Sequence, residues 1–211
     1  MLFRSRKFIR GGSVYFKQLN RKEYSQMDYT KALNAYRERE MAVLEGLDLN
    51  SISCVMNILE DARLQGKKIF ICGNGGSAAT ASHYCCDFNK GVSENQNVKY
   101  NFECLNDNIP TLMAVANDIG YEEVFRFPLK NKMKSGDILI GISGSGNSKN
   151  VVNAIEYAKS IGGTTIAIVG YSGGKMKEMA DYNIHVNIND MQISEDIHMM
   201  LDHMMMYVLS H

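Results

Sequence analysis

Apolar residues recur at three- and four-residue spacings across residues 27–65, at Ala32, Ala35, Tyr36, Val43 and Leu44, then at Ile52, Val55, Met56, Ile58 and Leu59. That period predicts amphipathic helix, and Gly46 with Asp48 divides it into two. The rhythm then changes. Short apolar runs at residues 69–72, 138–142 and 164–169 predict strands, with two weaker ones at 100–105 and 182–187. Helical patterns separate them, and a last helix rich in methionine spans about 193–209. Strands alternating with helices imply parallel βαβ units and an α/β fold. The helical pair ahead of the first strand has an apolar face to hide, which predicts contact with another subunit.

Two predicted strands end in glycine-rich turns that open helices. Residues 73–77 read Gly-Asn-Gly-Gly-Ser, and residues 143–148 read Ser-Gly-Ser-Gly-Asn-Ser. Such turns let backbone N–H groups converge at a helix start, where the dipole is positive and no side chain blocks an anion. In an open α/β sheet they gather where the strand order reverses, so one sugar phosphate satisfies both. Neither turn carries the lysine of a nucleotide P-loop. Gly73 and Gly75 with Ala78 make a weak dinucleotide fingerprint, which leaves nicotinamide binding a minor alternative.

Acids and histidines gather on two of the helices. His83 and Asp87 are an i, i+4 pair on the first, and Glu195, Asp196, His198, Asp202 and His203 lie on the last. His83, Asp87, Glu195 and His203 offer two nitrogens and two oxygens, a donor set that suits tetrahedral zinc. Against this, a lone histidine is commonly a satisfied packing residue, and His198 is read that way. Asp107 follows the second predicted strand, placed either to hold a sugar hydroxyl or, with Asn108, to cap the next helix.

Charge narrows the choice of partner. Lys+Arg and Asp+Glu both total 23, so there is no basic field for nucleic acid. The exception is residues 1–26, with seven basic residues against one acidic, read as a disordered extension or a segment upstream of the true start. Residues 27–211 are expected to form one domain. The five cysteines form no C-x-x-C pair and fall mostly in apolar segments, so buried thiols in a reducing cytoplasm are expected. No apolar run reaches the roughly 18 residues that span a bilayer.

Residues 72–77 with His83 and Asp87 beyond them, residues 141–148, the Ala116-Asn-Asp118 run and the acid- and histidine-bearing last helix together resemble the SIS sugar-isomerase family. The resemblance covers about residues 27–211 and within the family is nearest the phosphoheptose-isomerase branch. It implies a three-layer α/β/α sandwich around a flavodoxin-like five-stranded parallel sheet. It also implies a cytoplasmic homotetramer with active sites at subunit contacts. Asn74, Gly75, Gly76 and Ser77 fall on the family's first ligand loop, Asn106 and Asp107 on its second, and Ser143, Gly144, Ser145 and Ser148 on its phosphate loop. His83, Asp87, Glu195 and His203 fall on its metal positions, with zinc the implied ion. Asp87 stands where the family has Glu, Glu195 where it has Gln, Gly144 where it has Thr, and Gln192 where it has an acid.

The implied activity is aldose–ketose isomerisation of sedoheptulose 7-phosphate to D-glycero-D-manno-heptose 7-phosphate through an enediol. Asp87 is expected as the base near C2 and His203 as its acid–base partner on oxygen, unless a metal takes them. Glu195 is expected as a metal ligand or a hydroxyl holder. The competing expectations are isomerisation of another ketose phosphate, and a SIS module that binds a sugar phosphate as sensor or adaptor without turnover.

Overall fold

The computed structural model describes residues 27–211, so the basic segment 1–26 lies outside the described residues. Two helices come first, α1 (Thr30–Glu45) and α2 (Leu49–Leu64). Asp48 separates them because its carboxylate accepts the N–H groups of Asn50 and Ser51 and so caps α2. The α/β succession follows: β1 (Ile69–Cys72), α3 (Gly76–Cys86), β2 (Phe102–Cys104), α4 (Ile109–Asp118), α5 (Arg126–Lys132), β3 (Ile138–Ser143), α6 (Lys149–Ser160), β4 (Thr164–Val169), α7 (Gly174–Met179), β5 (Tyr182–His185) and α8 (Met191–Ser210).

The five strands form one parallel sheet in the order β2-β1-β3-β4-β5. Ile69 of β1 is in register with Phe102 of β2 on one side and Ile138 of β3 on the other. The order therefore reverses between β1 and β3, the two strands that end in glycine turns. One face of the sheet packs Phe70, Leu139 and Val169 against Val115 of α4, Ile155 of α6 and Met176 of α7. The alternate residues Ile69, Ile71, Ile140 and Ile168 are equally buried, with α2, α3 and α8 on that side. Burial on both faces is why these strands read as unbroken apolar runs. The expected α/β/α sandwich is the observed architecture. Among the described residues no single helix is long and apolar enough to cross a membrane.

Three details differ from expectation. Asp87, expected on the same helix as His83, lies just past the end of α3, where the chain winds through a π-turn at Asp87–Gly91 and a 3-10 turn at Val92–Asn95. Phe88 explains the wider turn, since its ring packs 5.0 Å from Tyr100 and 4.6 Å from Phe102, centroid to centroid. Second, β2 is shorter than residues 100–105, because the Tyr100 N–H goes to Ser93 Oγ at 2.8 Å instead of to the sheet. Third, the thiols are not uniformly buried: Cys72 and Cys104 are, Cys85 is half-buried, and Cys54 and Cys86 are exposed.

Two positions tie the fold to measurable stability. Gly146 holds φ at +65°, and a Cβ there would stand 1.9 Å from the Gly173 carbonyl oxygen, so the turns after β3 and β4 touch backbone to backbone. Gly146→Ala is expected to cost upwards of about 2 kcal/mol in denaturant unfolding, whereas Gly66→Ala, also at positive φ but facing open space, costs about 1 kcal/mol. His198 of α8 is fully buried, and burial pushes its imidazole down to about 4, offset only in part by the backbone of Val169. The folded state therefore keeps it neutral while the unfolded chain takes up a proton below about 6.5. Its contribution is present above that pH and is lost as pH falls toward 4. His198→Leu should flatten the decline in melting temperature across that window, and an unchanged slope would count against the assignment.

Candidate active site

The turn after β1 is held from the neighbouring strand. Asn106, just past β2, accepts the Gly73 N–H at 3.2 Å and donates to the Gly73 carbonyl at 2.8 Å. Its amide thus engages both backbone groups of Gly73 and sets the turn's position against β2. Asp107 accepts the Ser82 hydroxyl of α3 at 2.9 Å, and Asn108 caps α4 through the Thr111 N–H at 3.1 Å. The loop after β2 therefore braces the turn after β1 and the helix that follows it, and its capping residue is Asn108.

The turn after β3 is built from its own hydroxyls. Ser143 and Ser148 lie 3.0 Å apart, oxygen to oxygen, Ser143 Oγ also accepts the Gly146 N–H, and Ser145 Oγ accepts the Asn147 N–H. The two turns are joined across the switch point. Asn74 donates to Asn150 Oδ1 at 2.9 Å and accepts from Asn150 Nδ2 at 2.8 Å, while Tyr121 donates to Asn74 Oδ1 at 2.7 Å. Ser148, Asn74, Tyr121 and Asn150 line a cavity of about 350 Å³.

Helix α8 lies across the strand ends. A Cβ on Gly144 would meet Met191 Sδ at 2.6 Å, and one on Gly76 would meet Glu195 Oε2 at 2.3 Å. Met191 and Glu195 are i, i+4, so one face of α8 touches the second turn and then the first. Ser194 packs the same way against Gly170, beyond β4. This accounts for Gly144: the Met191 thioether occupies the room that a larger side chain at 144 would need. Gln192 is exposed. Of the first-turn residues, Gly75 and Gly76 are exposed and Ser77 is buried.

Further along α8 the histidines and acids converge. His83 Nε2 is 3.0 Å from His203 Nε2, 3.5 Å from Asp87 Oδ2 and 3.9 Å from Asp202 Oδ2. One ligand atom from each of these four side chains lies within 4.8 Å of the others. Three of them are the residues that the sequence nominated. The fourth is Asp202, whereas Glu195 stands two helical turns earlier against Gly76. Asp202 is fully buried, and neither carboxylate oxygen has a hydrogen-bond partner among the described residues. Burial first, and then the charge of Asp87, push it up to about 8. A divalent cation fits this donor set, because it would satisfy an otherwise orphaned buried carboxylate with two imidazoles and a second carboxylate. The sequence did hold a signal for Asp202: it follows Leu201 on the buried face that also carries Ile197, His198 and Met205, a phase where an unpaired acid is rarely found.

The Cys72 and Cys85 thiols are not activated. Burial raises Cys72, and the Cys104 thiol together with burial raises Cys85.

Comparison with known proteins gives this arrangement relatives. Residues 29–170 match the family model described as SIS domain. The phosphoheptose isomerase of Helicobacter pylori is 38% identical over 175 residues, covering 83% of this chain and 90% of that protein. That of Aliarcobacter butzleri is 35% identical over 173 residues, covering 82% and 90%. Among solved structures, phosphoheptose isomerase from Neisseria gonorrhoeae superposes with a TM-score of 0.79 at 26% identity, over 86% of this chain and 98% of that one. A family match of this extent, on a chain whose glycine turns meet at the reversal point of a five-stranded parallel sheet, settles its kinship: the chain belongs to the SIS domain family.

Proposed function

We propose that this chain is an aldose–ketose isomerase that converts sedoheptulose 7-phosphate to D-glycero-D-manno-heptose 7-phosphate through an enediol. The similar proteins named phosphoheptose isomerase support the substrate. The observation that carries the chemistry is the face of α8 that passes the serine turn, the first glycine turn and the histidine–carboxylate cluster in order. Phosphate-holding and proton-handling groups therefore lie along one line.

The phosphate belongs at the second turn, on Ser143, Ser145 and Ser148 with the backbone at Gly144. Glu195 already places a carboxylate against Gly76, so a second anion at the first turn would meet a like charge. The first turn, residues 74–77, then faces the sugar's uncharged end. Glu195, whose carboxylate lies against the start of α3, is the group we assign to remove the proton alpha to the carbonyl and return it to the neighbouring carbon. Asp87 and His203, expected as base and acid–base partner, are directed at the His83 imidazole and are assigned with Asp202 to hold a divalent cation, zinc by donor type. When bound, that ion would supply fixed positive charge whose field favours a developing enediolate. Asn106 and Asp107 act through the first turn that they brace.

We assign the protein to the cytoplasm as a homotetramer, with residues 27–211 as one SIS domain. Helix α1 supports the assembly: it carries no buried residue and exposes Leu33 and Met41.

Proton NMR of the purified chain with sedoheptulose 7-phosphate in D2O is the direct test. Aldose product carrying solvent deuterium at C2 is expected, and binding with neither product nor exchange would overturn the reading. Glu195→Gln should lower kcat by about 10²–10⁴ with a smaller change in KM. Equal loss in kcat/KM from KM alone would remove the base assignment. Asn150→Ala, which unties the two turns, should lower kcat/KM by about tenfold or more, with Asn150→Gln recovering little because the reciprocal amide pair requires the shorter side chain.

A further inference from the structure

We propose that Tyr121 is a specificity-determining residue: its phenol ring is a tethered partition between the cavity that takes the sugar phosphate and a second hollow behind the first glycine turn, and it limits the length of sugar that the site accepts. The inference deepens the proposed function and rests on it for placing the phosphate at the second turn.

The partition follows from which residues line each space. Tyr121 and Asn74 line the cavity of about 350 Å³ that also holds Ser148, and the same two residues line a separate hollow of about 210 Å³. That hollow is walled by Gly73, Gly75 and Ala78 from the first turn and α3, and by Met113, Ala116 and Phe125 from α4 and the segment after it. With the phosphate on the second turn, the uncharged end of the sugar runs toward Asn74. The Tyr121 ring stands where a longer chain would continue.

The ring is fixed at its base and tied at its tip. Gly120, at φ +145°, turns the chain out of α4 into a 3-10 turn at Tyr121–Glu123. Asn153 of α6 donates to the Glu122 carbonyl at 3.1 Å, and Val124 and Phe125 just beyond are buried, so the backbone under Tyr121 is anchored. Tyr121 itself is 61% exposed, and core packing does not hold its ring. Its hydroxyl donates to Asn74 Oδ1 at 2.7 Å, the one hydrogen bond of that side chain among the described residues. Asn74 is pinned in turn by its two hydrogen bonds with the buried Asn150. A single tether on a fixed post therefore keeps the two spaces apart.

The space behind the ring is large enough to matter. A further CHOH unit is somewhat bigger than a water molecule, whose share of the liquid is about 30 Å³. The hollow of about 210 Å³ admits it once the ring is gone. Its lining is mostly apolar and offers the added hydroxyl little, so the gain is that of a clash relieved.

The test compares sedoheptulose 7-phosphate with an octulose 8-phosphate, by initial rates and by dissociation constants from calorimetry. It uses the full chain as wild type, Tyr121→Phe, Tyr121→Ala, and Tyr121→Ala combined with Ala116→Leu. The wild type is expected to favour the seven-carbon sugar. Tyr121→Ala should raise the eight-to-seven ratio of kcat/KM by about tenfold or more, the scale on which one carbon is discriminated in a pocket. Because both sugars meet the same sample, that ratio cancels any change in the fraction of folded enzyme. Tyr121→Phe keeps the ring and cuts the tether, so its ratio should fall between the two. Ala116→Leu fills the second hollow and should return the ratio toward that of the wild type. An unchanged ratio in Tyr121→Ala, including an equal loss on both sugars, would overturn the proposal, as would a double variant as permissive as Tyr121→Ala. A wild type that binds both sugars and turns over neither defeats the isomerase reading alone, and the ratio of dissociation constants across the same variants then decides the partition. Binding of neither sugar defeats both.

Discussion

The parallel pairing of β1 with β2 on one edge and β3 on the other is the constraint from which the rest follows. A parallel neighbour on each side forces the crossovers after β1 and β3 to leave toward opposite faces, which opens a crevice at their carboxyl ends. Both glycine turns empty into that crevice, and the two helices that begin there present their N-termini to it. Helix α8 then closes one side, with the Met191 thioether and the Glu195 carboxylate lying in the space beside Gly144 and Gly76. A bulkier residue at 76 or 144 would push those side-chain ends aside, and at 76 it would move the Glu195 carboxylate off the start of α3.

Amide side chains hold this geometry. Asn106 engages the N–H and the carbonyl of Gly73, and Asn74 and Asn150 exchange two hydrogen bonds across the switch point. Loops at a sheet edge are ordinarily the mobile part of an α/β fold. Here each is tied to a strand or to the other loop, so the separation of the two turns is set before any ligand arrives. The same fact changes what several polar residues do: Asn74 and Asn106 have their hydrogen-bonding groups engaged within the protein.

The strand–helix alternation was legible in the sequence because the sheet is buried on both faces, and residues 69–72, 138–142 and 164–169 could be apolar for no other reason. The glycine turns were legible because a tight turn from a strand end into a helix start needs small residues. Asp48 and Asn108 announced their caps. What was not legible depended on contacts between segments distant in sequence. The turn through Asp87–Gly91 is set by Phe88 meeting Tyr100 and Phe102, which no local pattern contains. The roles of Asn74 and Asn106 depended on which loop lies opposite. Asp202 was passed over because spacing measured from His83 and His203 cannot tell which acid of α8 faces them; its position on the buried stripe of that helix could.

Two departures from the family pattern then become paired changes. Gly144 is small where Met191 is large, and the two fill one space. Glu195 adds a carboxylate where the family has an amide, and Asp202 supplies one at the cluster where Glu195 was expected. A carboxylate at the first turn of α3 is stabilised by the helix dipole, while one buried beside Asp87 is not. The two acids of α8 therefore differ in what they require: Glu195 can stand as a free anion facing the crevice, and Asp202 needs a counter-charge. A dication held there as proposed would leave two carboxylates and two neutral imidazoles balanced, so that the remaining negative charge would reside on Glu195, the acid proposed to take the proton from carbon.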